Sequence, residues 1–421
     1  MSTASRNQKP RPPSARASAK KRSARLVSAS APQTHATPAQ SAQHYETVAL
    51  VLQGGGALGS YQCGVYEGLH AAGIRPNWFA GISIGAINAA LLAGNAPEDR
   101  VERLHAFWNR VSIPALPLAQ AALDLQQKIL DALPWHNELI AAANSQGALA
   151  ALLFGQSGFF VPRLPPPLPF VSNGESATSF YDTAPLKATL EGLVDFDRIN
   201  AKSSGVRFSV GAVNVRSGNF VNFDNTTTKI RAEHVMASGA LPPAFAAVEI
   251  DGEHYWDGGL VSNTPLDHVL GAVPRRDSLV LQVDLWRAQG ELPRNLADVL
   301  ERQKDIQYSS RTRFHTQVIR DWQDVRTTLH ALLKQIPPEQ ITAEMRRDLD
   351  PWLSDRVYNI IHLIYHAKPF EEQYKDYAFA PSTMREHWQA GLADMRRTLR
   401  RAEFFALPSR RVGAATHDVN R

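Results

Sequence analysis

Residues Thr47–Leu52 (TVALVL) form an apolar run rich in β-branched side chains that stops at Gln53 and three consecutive glycines. A run this short, bounded by turn residues, fits a strand buried on both faces, as parallel sheets require. Ser60–Ala72 then reads as a helix stopped by Gly73, Trp78–Ile82 as a second strand, and Ile84–Ala93 as a small-residue helix ending near Gly94. Strand, helix, strand and helix in such quick succession predict an α/β fold, a parallel-cored sheet with helices on both faces.

Further along, the character changes twice. From about 112 to 180, Leu118, Ala122, Leu125, Ile129 and Leu133 keep helical spacing, and Pro162, Pro165, Pro166, Pro167 and Pro169 follow as an extended stretch. This segment is expected to be an insertion carried by the sheet. Pro185 opens another helix through Leu193, and hairpins are expected around Ser217-Gly218 and around Asp251-Gly252, before a buried strand at Ser278–Asp284. Beyond Gln289 the chain reads as almost all helix: Val357, Ile360, Ile361 and Ile364 share one helical face, as do Met384, Trp388, Leu392, Met395 and Leu399. The expected organisation is a disordered basic arm (1–45), an α/β domain (46–288), a helical C-terminal region (289–408) and a flexible tail (409–421).

Charge is unevenly spread. Residues 1–45 hold eight Lys and Arg and no acid; the rest of the chain has 37 basic against 40 acidic residues, a net charge of −3. The arm reads as a solvated disordered tail, as a contact for an anionic surface, or as a transit peptide, which shares its Arg/Ser-rich, acid-free composition. It lacks the apolar core of a signal peptide, and the longest apolar stretches fall far short of a bilayer span. The single cysteine, Cys63, makes no internal disulfide and reads as a core residue. Together these features predict a cytoplasmic protein, peripheral at a membrane surface where the arm makes that contact. No nucleic acid partner is expected, and no signal for an oligomeric state is present.

The sharpest chemical feature is Gly81-Ile82-Ser83-Ile84-Gly85, between a predicted strand and a predicted helix. A nucleophilic serine needs a tight strand-to-helix turn, flanking glycines relieve its crowding, and the helix N-terminus offers amides to an oxyanion. Gly54-Gly55-Gly56-Ala57-Leu58-Gly59 fits the dinucleotide fingerprint, but no Asp or Glu lies between Glu67 and Glu98 to hold a ribose. The loop reads instead as an anion-binding nest for an oxyanion. Asp257-Gly258-Gly259 follows the second hairpin and on its own is ordinary turn chemistry.

Taken in order, these three blocks and Ala237-Ser238-Gly239-Ala240-Leu241-Pro242 resemble the patatin-like phospholipase family, over about Val48 to Thr264. The resemblance implies a Ser–Asp dyad, with Ser83 as nucleophile, Asp257 as general base and Gly54, Gly55 and Gly56 as the oxyanion loop. Gly59, Gly81, Gly85, Gly258 and Gly259 would support those motifs. The implied activity is hydrolysis of lipid carboxylic esters, without cofactor. Family members commonly carry Lys or Arg where this chain has Leu58. Two rivals stand beside this reading: a Ser-His-Asp triad of the α/β-hydrolase type using His254 or His268, and a nucleotide-binding or scaffold protein that uses the glycine loop for phosphate. Metal is not expected, because His362 and His366 flank Leu363 rather than the Glu of metalloprotease helices. Arg396, Arg397, Arg400 and Arg401 form a basic stripe, either a solvated face or a headgroup contact.

Overall fold

Among the described residues, continuous apolar runs become the middle of one nine-stranded sheet. A computed structural model describes residues 36–113, 149, 151–168, 170, 174, 177–309, 312–366 and 375–419. Strands β1 (Thr47–Leu52), β2 (Trp78–Gly81), β3 (Arg207–Asn214), β4 (Phe220–Asp224), β5 (Val248–Ile250), β6 (Glu253–Asp257), β7 (Ser278–Asp284), β8 (Tyr358–Ile364) and β9 (Ala414–Asp418) lie in the order β9-β8-β7-β1-β2-β3-β6-β5, with β4 also on β3. From β9 to β3 every pairing is parallel; the hairpins β3–β4 and β5–β6 and the β3–β6 pairing are antiparallel.

Alternate residues of the central strands feed two cores. Leu50, Leu52, Phe79, Leu279, Leu281, Ile361 and Leu363 pack with α1 (Ser60–Ala71), α2 (Ile84–Ala93), α3 (Arg100–Val111) and α8 (Pro381–Leu399), counting α4 (Ala184–Leu193), α5 (Ala232–Ser238), α6 (Leu296–Tyr308) and α7 (Thr312–Leu333) between them. Ala49, Val51, Ala80, Val280 and Ile360 face the other side, with Leu266, Val269, Leu270 and Ile319 of α7. The sheet is therefore covered on both faces, the α/β arrangement expected from the sequence.

Three expectations are corrected. Val357–Ile364 is not helical: Tyr358–Ile364 is β8, buried between β7 and β9. Spacing of Val357, Ile360, Ile361 and Ile364 suits a helix face and a doubly buried strand alike, and burial of both faces decides for the strand. The region 289–408 is consequently not purely helical. Nor is all of 409–421 a flexible tail, since Ala414–Asp418 pairs in parallel with β8. At the other end, residues 36–45 of the expected arm are packed. Thr37 caps a turn of helix at Pro38–Ala42, and the buried Tyr45 hydroxyl donates to the Ala406 carbonyl at 2.9 Å while accepting from Asn359 at 2.8 Å. The disordered arm expected over residues 1–35 and the helix expected from Leu118 to Leu133 lie outside the described residues.

Among the described residues no helix is long and apolar enough to cross a membrane. Cys63 is buried in the main core, as its place on α1 suggested. His362 sits on β8 rather than on a helix, which removes the one-turn spacing to His366. The four arginines of the basic stripe are all exposed, with Arg397 paired to Asp394 and Arg401 to Glu403.

Candidate active site

The parallel strands end together on one edge of the sheet, and the crevice beyond such carboxyl ends is where α/β sheets usually bind ligands. The loop after β1 carries Gly54–Gly56, the turn after β2 carries Ser83, the end of β6 carries Asp257, and the segment after β7 carries Trp286. All of them line one cavity of about 120 Å³.

Ser83 has φ +54° and ψ −124°, a left-handed-side conformation that costs a non-glycine residue roughly 1–3 kcal/mol. The strain is held in place by tight backbone packing. A side chain at Gly81 would run into the Gly85 carbonyl, and one at Gly85 into the Leu52 carbonyl, so the turn closes only with glycine at both positions. From the other side, Ser238 at the end of α5 accepts the Ser83 amide with both its hydroxyl and its carbonyl, each at 3.1 Å. Ser83 itself is half-buried.

Ser83 and Asp257 line the same wall of this cavity, and the Ser83 side chain favours the charged form of the Asp257 carboxylate. Asp257 is 2% exposed, and its Oδ1 accepts the Gly259 amide at 2.7 Å. Burial pushes the carboxyl up to about 7, against Ser83 and the Gly259 amide, which favour its charged form. The Asp257 amide donates to the Ala240 carbonyl at 3.0 Å, and a side chain on Gly258 would crowd the Gly211 carbonyl, so β6 is pressed close to β3 at this point.

The glycine loop enters a short 3-10 turn at Gly56–Gly59, and Gly56 takes φ +55°, which glycine adopts without strain. Its three candidate amides are not equivalent. Gly54 donates to the Asn263 carbonyl at 3.3 Å, whereas the Gly55 and Gly56 amides have no protein acceptor among the described residues. Gly59 packs against Ile84 and Trp108 behind the loop. Leu58 is fully buried in the main core, so the loop carries no charge of its own.

Several residues with no recognisable motif hold this geometry. The Gly54 carbonyl accepts from Trp286 Nε1 at 2.8 Å and from Asn263 Nδ2 at 3.0 Å. Gln53 accepts the Leu285 and Trp286 amides at 2.6 and 3.0 Å and donates to the Tyr308 carbonyl at 3.1 Å. These contacts join residues more than two hundred positions apart, beyond the reach of any spacing rule. The rest of the cavity wall is apolar and aromatic, with Phe159, Phe160, Tyr181, Leu241, Phe245 and Phe379 prominent. Phe160 meets Tyr181 and Phe245 at ring-centre distances of 4.9 and 5.4 Å.

No histidine lines the cavity among the described residues. His254 lies on the β5–β6 hairpin opposite Glu249. His268 does pair with a carboxylate, Asp224, at 2.9 Å, but it stacks edge-on against Trp78 at the start of β2, the end of that strand away from Ser83. Asp224 is buried, which raises its carboxyl, but bonds from His268, Thr226 and Ser209 outweigh that and hold it far below the usual range.

Comparison with known proteins gives a consistent result. The family model for patatin-like phospholipase matches residues 50–270, just over half of the chain, and a second model, described as Patatin phospholipase, matches residues 306–411. No curated protein matches. A solved structure, VipD from Legionella pneumophila, aligns over 84% of this chain and 67% of its own at 16% identity, with a TM-score of 0.37, a similarity too low to bear on function. The first model spans the glycine loop, the Ser83 turn and the Asp257 turn alike, and by that match the chain belongs to the patatin-like phospholipase family.

Proposed function

We propose that the protein is a serine acyl hydrolase that cleaves carboxylic esters of lipids through Ser83 and Asp257. Membership of the family supports a lipid acyl hydrolase; the strained Ser83 turn and a buried Asp257 facing one apolar cavity, with Ser83 favouring the charged carboxylate, are the observation that carries the dyad. As Ser83 Oγ attacks the ester carbonyl carbon, its proton passes to Asp257, and the carbonyl oxygen gains negative charge. The Gly55 and Gly56 amides are the donors assigned to that oxyanion, with Gly54 serving to anchor the loop. Collapse expels the alcohol, which takes the proton from Asp257 and leaves an acyl ester on Ser83. Water then attacks that ester, Asp257 accepts its proton and passes it to the departing Ser83 Oγ, and the fatty acid leaves with both groups restored. A carboxyl near 7 is poised for both directions of transfer, which an ordinary Asp is not.

The aromatic and aliphatic wall suits an acyl chain rather than a polar substrate. The cationic arm would bring the acidic body to an anionic lipid surface. Activity on a panel of phospholipids and short-chain esters tests the reading. Ser83→Ala and Asp257→Asn are each expected to lose at least about 10³-fold in kcat, the double variant little more, and His254 and His268 variants almost nothing. A folded His254 or His268 variant as impaired as Asp257→Asn would restore the triad instead.

A further inference from the structure

The glycine loop is gripped from a part of the chain remote from both the Ser83 turn and the Asp257 turn. The Asp376 carbonyl accepts the Ala57 amide at 2.9 Å, and a side chain on Gly56 would press on that same carbonyl. The Asp376 side chain, 13% exposed, turns to Lys304 on α6, whose Nζ donates to the two carboxylate oxygens at 2.9 and 3.0 Å. The same ammonium lies 4.9 Å from the Tyr377 ring centre. Lys304, Asp376 and Tyr377 line the cavity that also holds Ser83, Asp257 and the loop glycines. A largely buried carboxylate thus stands beside the loop assigned to an oxyanion, and like charges in such a setting repel strongly.

We propose that Lys304 and Asp376 are positioning residues for ester hydrolysis: the Asp376 main chain sets the glycine loop, and the Lys304 ammonium cancels the Asp376 charge so that negative charge can build at that loop. The proposal rests on the hydrolase reading above. Leu58, buried and neutral, leaves this task to a cation from outside the loop.

The pairing has a consequence for pH. Burial pushes the Asp376 carboxyl up, and Lys304 opposes that shift. Among the described residues, the other groups facing Asp376 are Lys375, Tyr377 and Tyr308, the last also within the field of Asp257. Lys375 is already bonded to Glu301 and Asp305, at 2.9 and 2.8 Å. With Lys304 gone, Asp376 titrates higher still, and its ionised form opposes the oxyanion while its protonated form does not. Activity should then fall as pH rises through that ionisation, a limb the wild type lacks.

The experiment measures kcat and KM of the full chain for p-nitrophenyl butyrate from pH 5 to 9, with melting curves for each variant. Lys304→Met is expected to lose about tenfold in kcat at pH 8, with less loss at pH 6 and little change in KM. Lys304→Met with Asp376→Asn is expected to regain most of it, and Asp376→Asn alone, which leaves the Lys304 ammonium unopposed beside the loop, to raise kcat by about two- to several-fold. Should Lys304→Met fail to fold, Asp376→Asn still decides: a folded Asp376→Asn variant with kcat down tenfold overturns the proposal. So does a Lys304→Met profile of wild-type shape, or a folded double variant no better than Lys304→Met. Hydrolysis that survives Ser83→Ala overturns the hydrolase reading and this proposal with it, whereas a Ser83-dependent enzyme indifferent to Lys304 overturns this proposal alone.

Discussion

Ser238 clasps the Ser83 amide with two oxygens, its hydroxyl and its own carbonyl, each 3.1 Å away. The clasp ties the end of α5 to a residue whose backbone is strained, so it fixes where the Ser83 hydroxyl points. Ser238→Ala keeps the carbonyl and removes the hydroxyl. Loss of that one acceptor is expected to cost about 1 kcal/mol of stability and to lower kcat several-fold with KM nearly unchanged. Steady-state kinetics beside a urea melt check this; an unchanged kcat would mean that the carbonyl alone holds the turn.

Burial of Asp257 predicts a trade of stability for basicity. The folded carboxyl titrates near 7, and the unfolded one near the ordinary Asp value of about 3.9. Between those values the folded chain binds a proton that the unfolded chain does not, so this group lowers stability as pH rises through the window and keeps it lowered above. Asp257→Asn lacks the group. The variant should therefore gain on the wild type between pH 4 and pH 8, by up to ~4 kcal/mol at about 1.4 kcal/mol per pKa unit. Urea melts of both proteins at the two pH values measure this, and a difference independent of pH would show that Asp257 is not raised. In the wild type kcat/KM should rise with pH through about 7 and then level off.

All eight cations of the N-terminal segment lie before residue 26, ahead of the packed turn that Thr37 caps. Deleting residues 1–35 keeps the Tyr45 contacts and removes the charge. Binding to phosphatidylserine vesicles is expected to weaken while hydrolysis of a short soluble ester stays the same. The difference should vanish toward 1 M salt, where the Debye length is about 3 Å. Equal vesicle binding by the truncated and full chains would assign surface contact to another part of the molecule.

Much of the fold is legible in the sequence because β1, β2 and β7 are short apolar runs with turn residues at their ends. Strand β8 is not, since Val357, Ile360, Ile361 and Ile364 satisfy a helix as well as a strand until β7 and β9 cover both sides. Strand β9 (AATHD) has too little apolar content to announce itself and is made by its partner. At the candidate site, Ser83 and Asp257 each stand in a local glycine pattern that a sequence can display. Asn263, Trp286 and the Lys304–Asp376 pair work through contacts between distant segments, and no local pattern records them.

The central claim is that Ser83 is a nucleophile activated by Asp257, and covalent labelling measures it most directly. The full-length protein is treated with a fluorophosphonate at pH 8, and peptide mapping locates and times the adduct. The account predicts one phosphonate on Ser83, none on Ser83→Ala, and labelling of Asp257→Asn slowed by at least about a hundredfold. An unlabelled wild type, an adduct on another residue, or labelling of Asp257→Asn at the wild-type rate would contradict it.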